Sequence, residues 1–407
     1  MDPASTPIRV DEPRDGRFAR FAGISWWRQS VLDEARVLVI GAGALGNEVI
    51  KNLALLGVGR LIIVDMDRIE ESNLSRSVLF RPGDQGHPKA AVAARAAMEL
   101  YPQMSAIDCD ANVLSDLGLG YFRWAQVVVG ALDNREARVF VNKACAQVGR
   151  PWIDGGIDIL NGIVRGFAPP ASACYECTMG QADWDLLAKR RSCSLLARRA
   201  FAEGGTPTTP TTASVIGAIQ AQEVVKLLHG LETLRGRGFV FEGLTHNSFT
   251  VGYPIAPDCP WHEEPPPIDQ AEDLGSNTPM RVIWERYSAE LGGLDAIDLS
   301  RELVESLQCT SCGNSQSVMK PLESVTEDQA RCPKCEAECV PRFFHSIAKG
   351  SPLLDRTPAQ LGLPKWDILW ARRGEQVRGI ELAADRAACL GDAMVAKQMR
   401  REAVNRL

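Results

Sequence analysis

Residues 36 to 40 (Arg-Val-Leu-Val-Ile) form a short apolar run that enters Gly41-Ala-Gly43-Ala-Leu-Gly46. Over the next stretch, Glu48 to Leu56, the positions Val49, Ile50, Leu53 and Leu56 recur at helical spacing. The pattern predicts strand, glycine turn, helix. A second apolar run, Arg60 to Asp65, ends in a carboxylate 19 positions after Gly46, where a ribose partner is expected in a mononucleotide-binding half. Further along, the spacing predicts a helix over 89–100, a strand over 126–130, a helix over 135–148 and a strand over 151–154. Such alternation implies an α/β fold with a Rossmann-like, mostly parallel sheet covered on both faces.

Past Cys177 the pattern loosens. Lys189-Arg-Arg191, Cys193 and the Thr/Pro-rich residues 206 to 212 read as loop. A helix resumes over 213–229 and a strand over 238–242. Residues 263–278, with Pro265-Pro-Pro267, read as a linker. The chain thus divides into a domain over 1–262, with an N-terminal arm (1–16) and a crossover segment (about 178–212), and a smaller C-terminal domain over 279–407. The latter closes in polar, helix-like sequence from Ala384. No internal repeat is present.

Composition narrows the function. With 407 residues, 45% hydrophobic and 24% charged, the chain is an ordinary globular one of two or three domains. Lys+Arg 45 against Asp+Glu 51 leaves a net charge of −6, so no global basic field draws in nucleic acid or anionic lipid. No apolar run approaches the ~20 residues that span a bilayer. Met1 to Arg14 is polar, not a signal core. The expectation is a cytoplasmic protein that binds neither nucleic acid nor membrane.

Twelve cysteines in a reducing compartment call for metal or thiol chemistry. Cys309-x2-Cys312 and Cys332-x2-Cys335, 19 residues apart, have zinc-site spacing and predict a zinc ribbon in the C-terminal domain. Cys174-x2-Cys177 and Cys259-Pro-Trp-His262 offer a second set of four. Four protein ligands leave no open position, so both sites are expected to be structural Zn2+ sites. Cys109, Cys145, Cys339 and Cys389 read as buried thiols.

A glycine turn alone also suits a nicotinamide oxidoreductase. The residues after it separate the options. Asp65-Met-Asp67, Asn73-Leu-Ser-Arg76 and Gly86-His-Pro-Lys89 place two cations and an amide just beyond the nucleotide strand. Hydride transfer does not need them, whereas a departing pyrophosphate does, and Asp133 after the strand at 126–130 is a candidate for Mg2+.

Together with Arg17-Phe-Ala-Arg20, Ala131-Leu-Asp133-Asn134, Arg138 and the late zinc pair, this series resembles the E1-like (ubiquitin-activating and sulfur-carrier adenylyltransferase) superfamily from about Arg17 to His262. The resemblance implies that Gly41, Gly43 and Gly46 approach ATP and that Asp65 binds the ribose, with Asp67 also among the cofactor-binding residues. Asn73, Arg76 and Lys89 would contact the triphosphate, and Asp133 would bring Mg2+. Arg20 would reach into a partner subunit, implying a homodimer. The implied reaction is adenylation of the C-terminal glycine of a ubiquitin-like protein, thioester formation on Cys193, and transfer to an E2-like conjugating enzyme recruited partly by the C-terminal domain. A sulfur-carrier adenylyltransferase and a nucleotide-binding scaffold without turnover are the alternatives. Ser77, Ala44 and His262 depart from the superfamily pattern, the last replacing a zinc cysteine with another zinc ligand.

Overall fold

A computed structural model describes residues 16–192 and 207–391. Cys193, most of the N-terminal arm and the last residues of the chain lie outside the described residues.

The first half follows from strands that are apolar on both sides. In β1 (Arg36–Ile40), Val37 and Val39 join one core cluster, while Leu38 and Ile40 join another on the opposite face. β2 (Arg60–Asp65) repeats this, with Leu61 and Ile63 on one side and Ile62 and Val64 on the other. Each face then needs a helical cover. The short α1 (Gln29–Asp33), α2 (Ala44–Leu56) and α3 (Lys89–Leu100) take the first face. α4 (Leu119–Trp124) and α5 (Arg135–Gln147) take the second. With β3 (Ser105–Asp110), β4 (Val127–Gly130) and β5 (Trp152–Asp158), the strands run in the order β3-β2-β1-β4-β5, all parallel. Three antiparallel strands extend the sheet past β5: β6 (Asn161–Phe167), β7 (Arg237–Glu242) and β8 (Asn247–Gly252). Chain order reverses between β1 and β4, which opens a crevice at the carboxyl ends of the strands.

Two stretches expected to be loop are helical. α6 (Gln181–Ser192) includes the charged run after Cys177. Within the Thr/Pro-rich stretch a helix instead starts at Pro210, α7 (Pro210–Leu228): Thr209 is the N-cap, its Oγ1 accepting from Thr212 N at 3.4 Å, and Pro210 occupies the first turn.

The second sheet begins inside the stretch expected to be a linker. β9 (Ile268–Ala271) pairs parallel with β14 (Gln376–Leu382), the last strand of that sheet. Its remaining strands are β10 (Ala296–Cys309), β11 (Ser315–Lys320), β12 (Cys339–Ala348) and β13 (Ile368–Arg373), in the order β11-β10-β13-β14-β9 with β12 also on β10. Register shifts along the 14-residue β10 let it serve three neighbours. α8 (Met280–Leu291) buries Ile283 and Tyr287 against this sheet.

The two sheets are joined by a packed junction. Trp366, 1% exposed, sits over Gly118 and Gly120 at the start of α4, accepting the Gly120 N–H on its backbone carbonyl at 2.9 Å. Its indole Nε1 donates to Glu381 at 2.6 Å, and Glu381 also pairs with Arg123 of α4. A Cβ on Gly120 would lie 2.4 Å from the Trp366 ring. Gly120→Ala is therefore expected to cost about 1–3 kcal/mol by overpacking, read as a lower midpoint in urea denaturation.

Candidate active site

The crevice at the sheet reversal is a cavity of about 1130 Å³. Gly41 follows β1 with φ +98°, and a Cβ there would stand 2.3 Å from the carbonyl oxygen of Ala131, after β4. A Cβ at Gly46 would meet the Gly41 carbonyl oxygen at 1.9 Å. Both positions demand glycine, but for different ends. Gly41 and Gly43 line the cavity, while Gly46 lies inside α2 and packs that helix against the loop.

Asp65 closes β2. Its carboxylate accepts from Ala42 N at 2.6 Å and Asp67 N at 2.8 Å, locking the glycine loop to the strand end. Burial pushes its carboxyl up from the ordinary aspartate value, and the two amides and Lys89 pull the other way. Lys89, the first residue of α3, donates from Nζ to Asp67 at 2.8 Å and from its backbone N to the Asp67 carbonyl at 2.9 Å. Asn73 is buried in a 3-10 turn, its Oδ1 accepting from Glu70 N at 3.0 Å. Arg76, half-buried, donates to Ser72 O at 2.8 Å. On the far side, Asp133 faces the cavity after β4, and Asn134 beside it caps α5 by accepting from Ala137 N at 2.8 Å.

The structure thus brings Gly41, Gly43, Asp65, Asp67, Asn73, Arg76, Lys89 and Asp133 to one cavity. Arg20 lies on an exposed 3-10 turn away from the cavity of its own chain. Lys89 and the Asp65 and Asp67 carboxylates thus stand side by side on this cavity, which Arg76 also lines. That distribution suits a sugar at Asp65 and a polyphosphate along Arg76 and Lys89. The exposed Asp133 carboxylate, a hard oxygen donor on the same cavity, fits Mg2+.

Behind the far wall, where Arg138 and Arg165 line the cavity, lies a group that the sequence does not single out. Asp154, fully buried on β5, accepts from Arg138 Nε at 2.9 Å and from Arg165 Nε at 3.0 Å. Arg138 also donates to Leu132 O at 2.6 Å and Gly155 O at 3.1 Å, fixing the backbone beside Asp133. Burial pulls the Arg165 guanidinium down, but Asp154, joined by Tyr175 and Tyr253, holds the group above its usual value. A carboxylate ending the apolar strand predicted at 151–154 was the available signal, since a buried charge requires a partner.

Both cysteine clusters assemble. Cys174, Cys177, Cys259 and His262 have ligand atoms within 4.8 Å of one another, as do Cys309, Cys312, Cys332 and Cys335. Sulfur separations of 3.7 Å (Cys174 to Cys177) and 3.5 Å (Cys309 to Cys335) match the edges of a tetrahedron with ~2.3 Å metal–sulfur bonds. Either cluster could hold zinc. Behind the first, buried Asn142 of α5 donates to Cys174 Sγ at 3.5 Å and to Glu176 at 3.2 Å, and Trp261 Nε1 donates to Glu176 at 2.6 Å.

The ThiF family model matches residues 16–260, well over half of the chain. The chain belongs to the ThiF family. As a ThiF-family protein it falls within the E1-like adenylyltransferase superfamily. It is 34% identical over 255 residues to the SAMP-activating enzyme E1 of Haloferax volcanii, covering 60% of this chain and 86% of that protein. It is 32% identical over 238 residues to the sulfur carrier protein adenylyltransferase of Thermus thermophilus, covering 57% and 83%. Against the NEDD8-activating enzyme E1 catalytic subunit of Arabidopsis thaliana, 37% identity extends over 171 residues, 37% of this chain and only 36% of that protein. The ThiF-family fold is shared with Escherichia coli MccB, solved with ATP, at a TM-score of 0.51 and 22% identity over 61% of this chain and 74% of that one. Among the described residues, no helix is long and apolar enough to cross a membrane.

Proposed function

We propose that this protein uses ATP to adenylate the C-terminal glycine of a ubiquitin-like protein. The observation that supports the reading is the meeting of Asp65, Asn73, Arg76, Lys89 and Asp133 around one cavity. The cavity also continues past Asp133 to Gly162 of β6 and to Val240 and Phe241 of β7, leaving room for a peptide tail beside the polyphosphate. In the step, a carboxylate oxygen of the terminal glycine attacks the α-phosphorus. The bond to the bridging oxygen breaks, and pyrophosphate leaves with the displaced electron pair. Arg76 and Lys89 offset the charge gathering on the leaving oxygens, and the chain supplies no covalent nucleophile here. Asp133 would hold Mg2+, which supplies further neutralisation of the phosphates.

A second step follows at Cys193, whose thiolate attacks the acyl carbonyl and expels AMP to give a thioester, which then passes to an E2-like conjugating enzyme. The sequence around it carries this part of the reading, because Lys189, Arg190 and Arg191 favour a thiolate. Homodimerisation through Arg20 belongs to the same proposal. Likeness to the Thermus sulfur carrier protein adenylyltransferase along most of its length supports a second reading, adenylation of a sulfur carrier without the thioester.

Pyrophosphate exchange tests both. With ATP, magnesium and candidate small proteins ending in glycine, exchange is expected only when the small protein is present. Cys193→Ala is expected to keep exchange and to abolish a thiol-sensitive adduct visible on a non-reducing gel. Exchange with no adduct in the wild type favours the sulfur-carrier reading; no exchange with any such protein overturns adenylation.

A further inference from the structure

The second sheet reaches the wall of the nucleotide cavity. Residues 111–114, just after β3, border that cavity. Ala111 N donates to Asp65 O at 3.3 Å, so this wall flanks the carboxylate assigned to the ribose. In the order β3-β2-β1-β4 it lies on the side of the sheet away from Asp133. A nucleotide with its sugar at Asp65 and its phosphates running past the glycine loop toward Asp133 therefore has its base against residues 111–114.

That wall is irregular backbone. From within it is held by short turns, Leu114 N donating to Asn112 Oδ1 and Asn112 N to Asp116 Oδ2, both at 2.9 Å. From outside it is held by the other sheet. Arg301, at the middle of β10 and 6% exposed, donates to Leu114 O at 2.8 Å and to Leu117 O at 2.7 Å. Its guanidinium lies 5.1 Å over the ring of Phe140 in α5 and 3.9 Å from the Asp367 carboxylate. Asp367, fully buried, accepts from Leu119 N at 3.0 Å and from the Ser300 hydroxyl at 2.6 Å. A buried carbonyl left without a donor, as Leu117 O would be, is costly, so the wall would rearrange if Arg301 were lost.

We infer that Arg301 is a positioning residue of the nucleotide site, fixing through the Leu114 and Leu117 carbonyls the wall on which the base of ATP rests. The C-terminal sheet is then a working part of ATP binding rather than a detachable appendage. This rests on the ATP reading above.

The full chain is titrated with magnesium-ATP by calorimetry and assayed for pyrophosphate exchange. Arg301→Met is expected to weaken ATP binding about tenfold and to raise the KM for ATP equally, with kcat at saturating ATP within about twofold of wild type. Arg301→Lys keeps the stem and the charge but spans one carbonyl, guards against a variant that fails to fold, and is expected to weaken binding about threefold. Normal ATP affinity in a folded Arg301→Lys and Arg301→Met, whatever their melting temperatures, overturns the inference and leaves adenylation standing. A wild-type protein that binds no ATP overturns both.

Discussion

Lys89→Ala is expected to slow small-protein-dependent pyrophosphate exchange by about a hundredfold to a thousandfold at saturating ATP, the loss typical for one preorganised donor. Lys89 is placed to act because its side chain is only 11% exposed while its partner Asp67 is 55% exposed. The ammonium is thus turned into the cavity, where its field is less screened than at the open surface. The starting residue of α3 also has its backbone tied to the Asp67 carbonyl, so the stem begins from a fixed point. A folded Lys89→Ala protein exchanging at the wild-type rate would remove Lys89 from the phosphate site.

Cys174→Ala is expected to take bound zinc from about two ions per chain to about one and to lower the melting temperature by more than about 10 °C. Cys174 is fully buried, and its cluster ties the segment after β6 to the turn at 259–262. Asn142 connects that cluster to α5, whose first turn holds Asn134 beside Asp133. Loss of metal there is therefore expected to weaken exchange as well as stability. Atomic absorption on the purified variant checks the first outcome and calorimetric melting the second. Unchanged zinc content would show that Cys174 is not needed to hold the ion.

What was readable from the sequence had a local signature. The run at 36–40, the glycine turn and the periodic residues of α2 all lie within about twenty positions, and their pattern reflects burial on both faces of one sheet. The cysteine pairs were equally legible, because a metal constrains spacing. The Asp154, Arg138 and Arg165 group was not, since its members come from α5, β5 and β6 and meet only once the sheet is formed. Arg301 escaped for the same reason: in sequence it is one arginine among the mixed residues of β10, and its acceptors lie 187 and 184 positions earlier. The helix start at Thr209-Pro210 and the strand at 268–271 were hidden differently. Their compositions suit loops as well, and the deciding interactions are a cap in one case and a remote neighbouring strand in the other.

Pairing of β9 with β14 also sets where the molecule can be cut. The chain leaves the first cysteine cluster at His262 and is already hydrogen-bonded to the second sheet at Pro267, whose carbonyl accepts from Gly379 N. Only residues 263–266, two of them proline, remain between them for a protease to grip. Digestion is thus poorly suited to harvesting the two halves, and a recombinant piece starting at 279 would lack one edge of its own sheet.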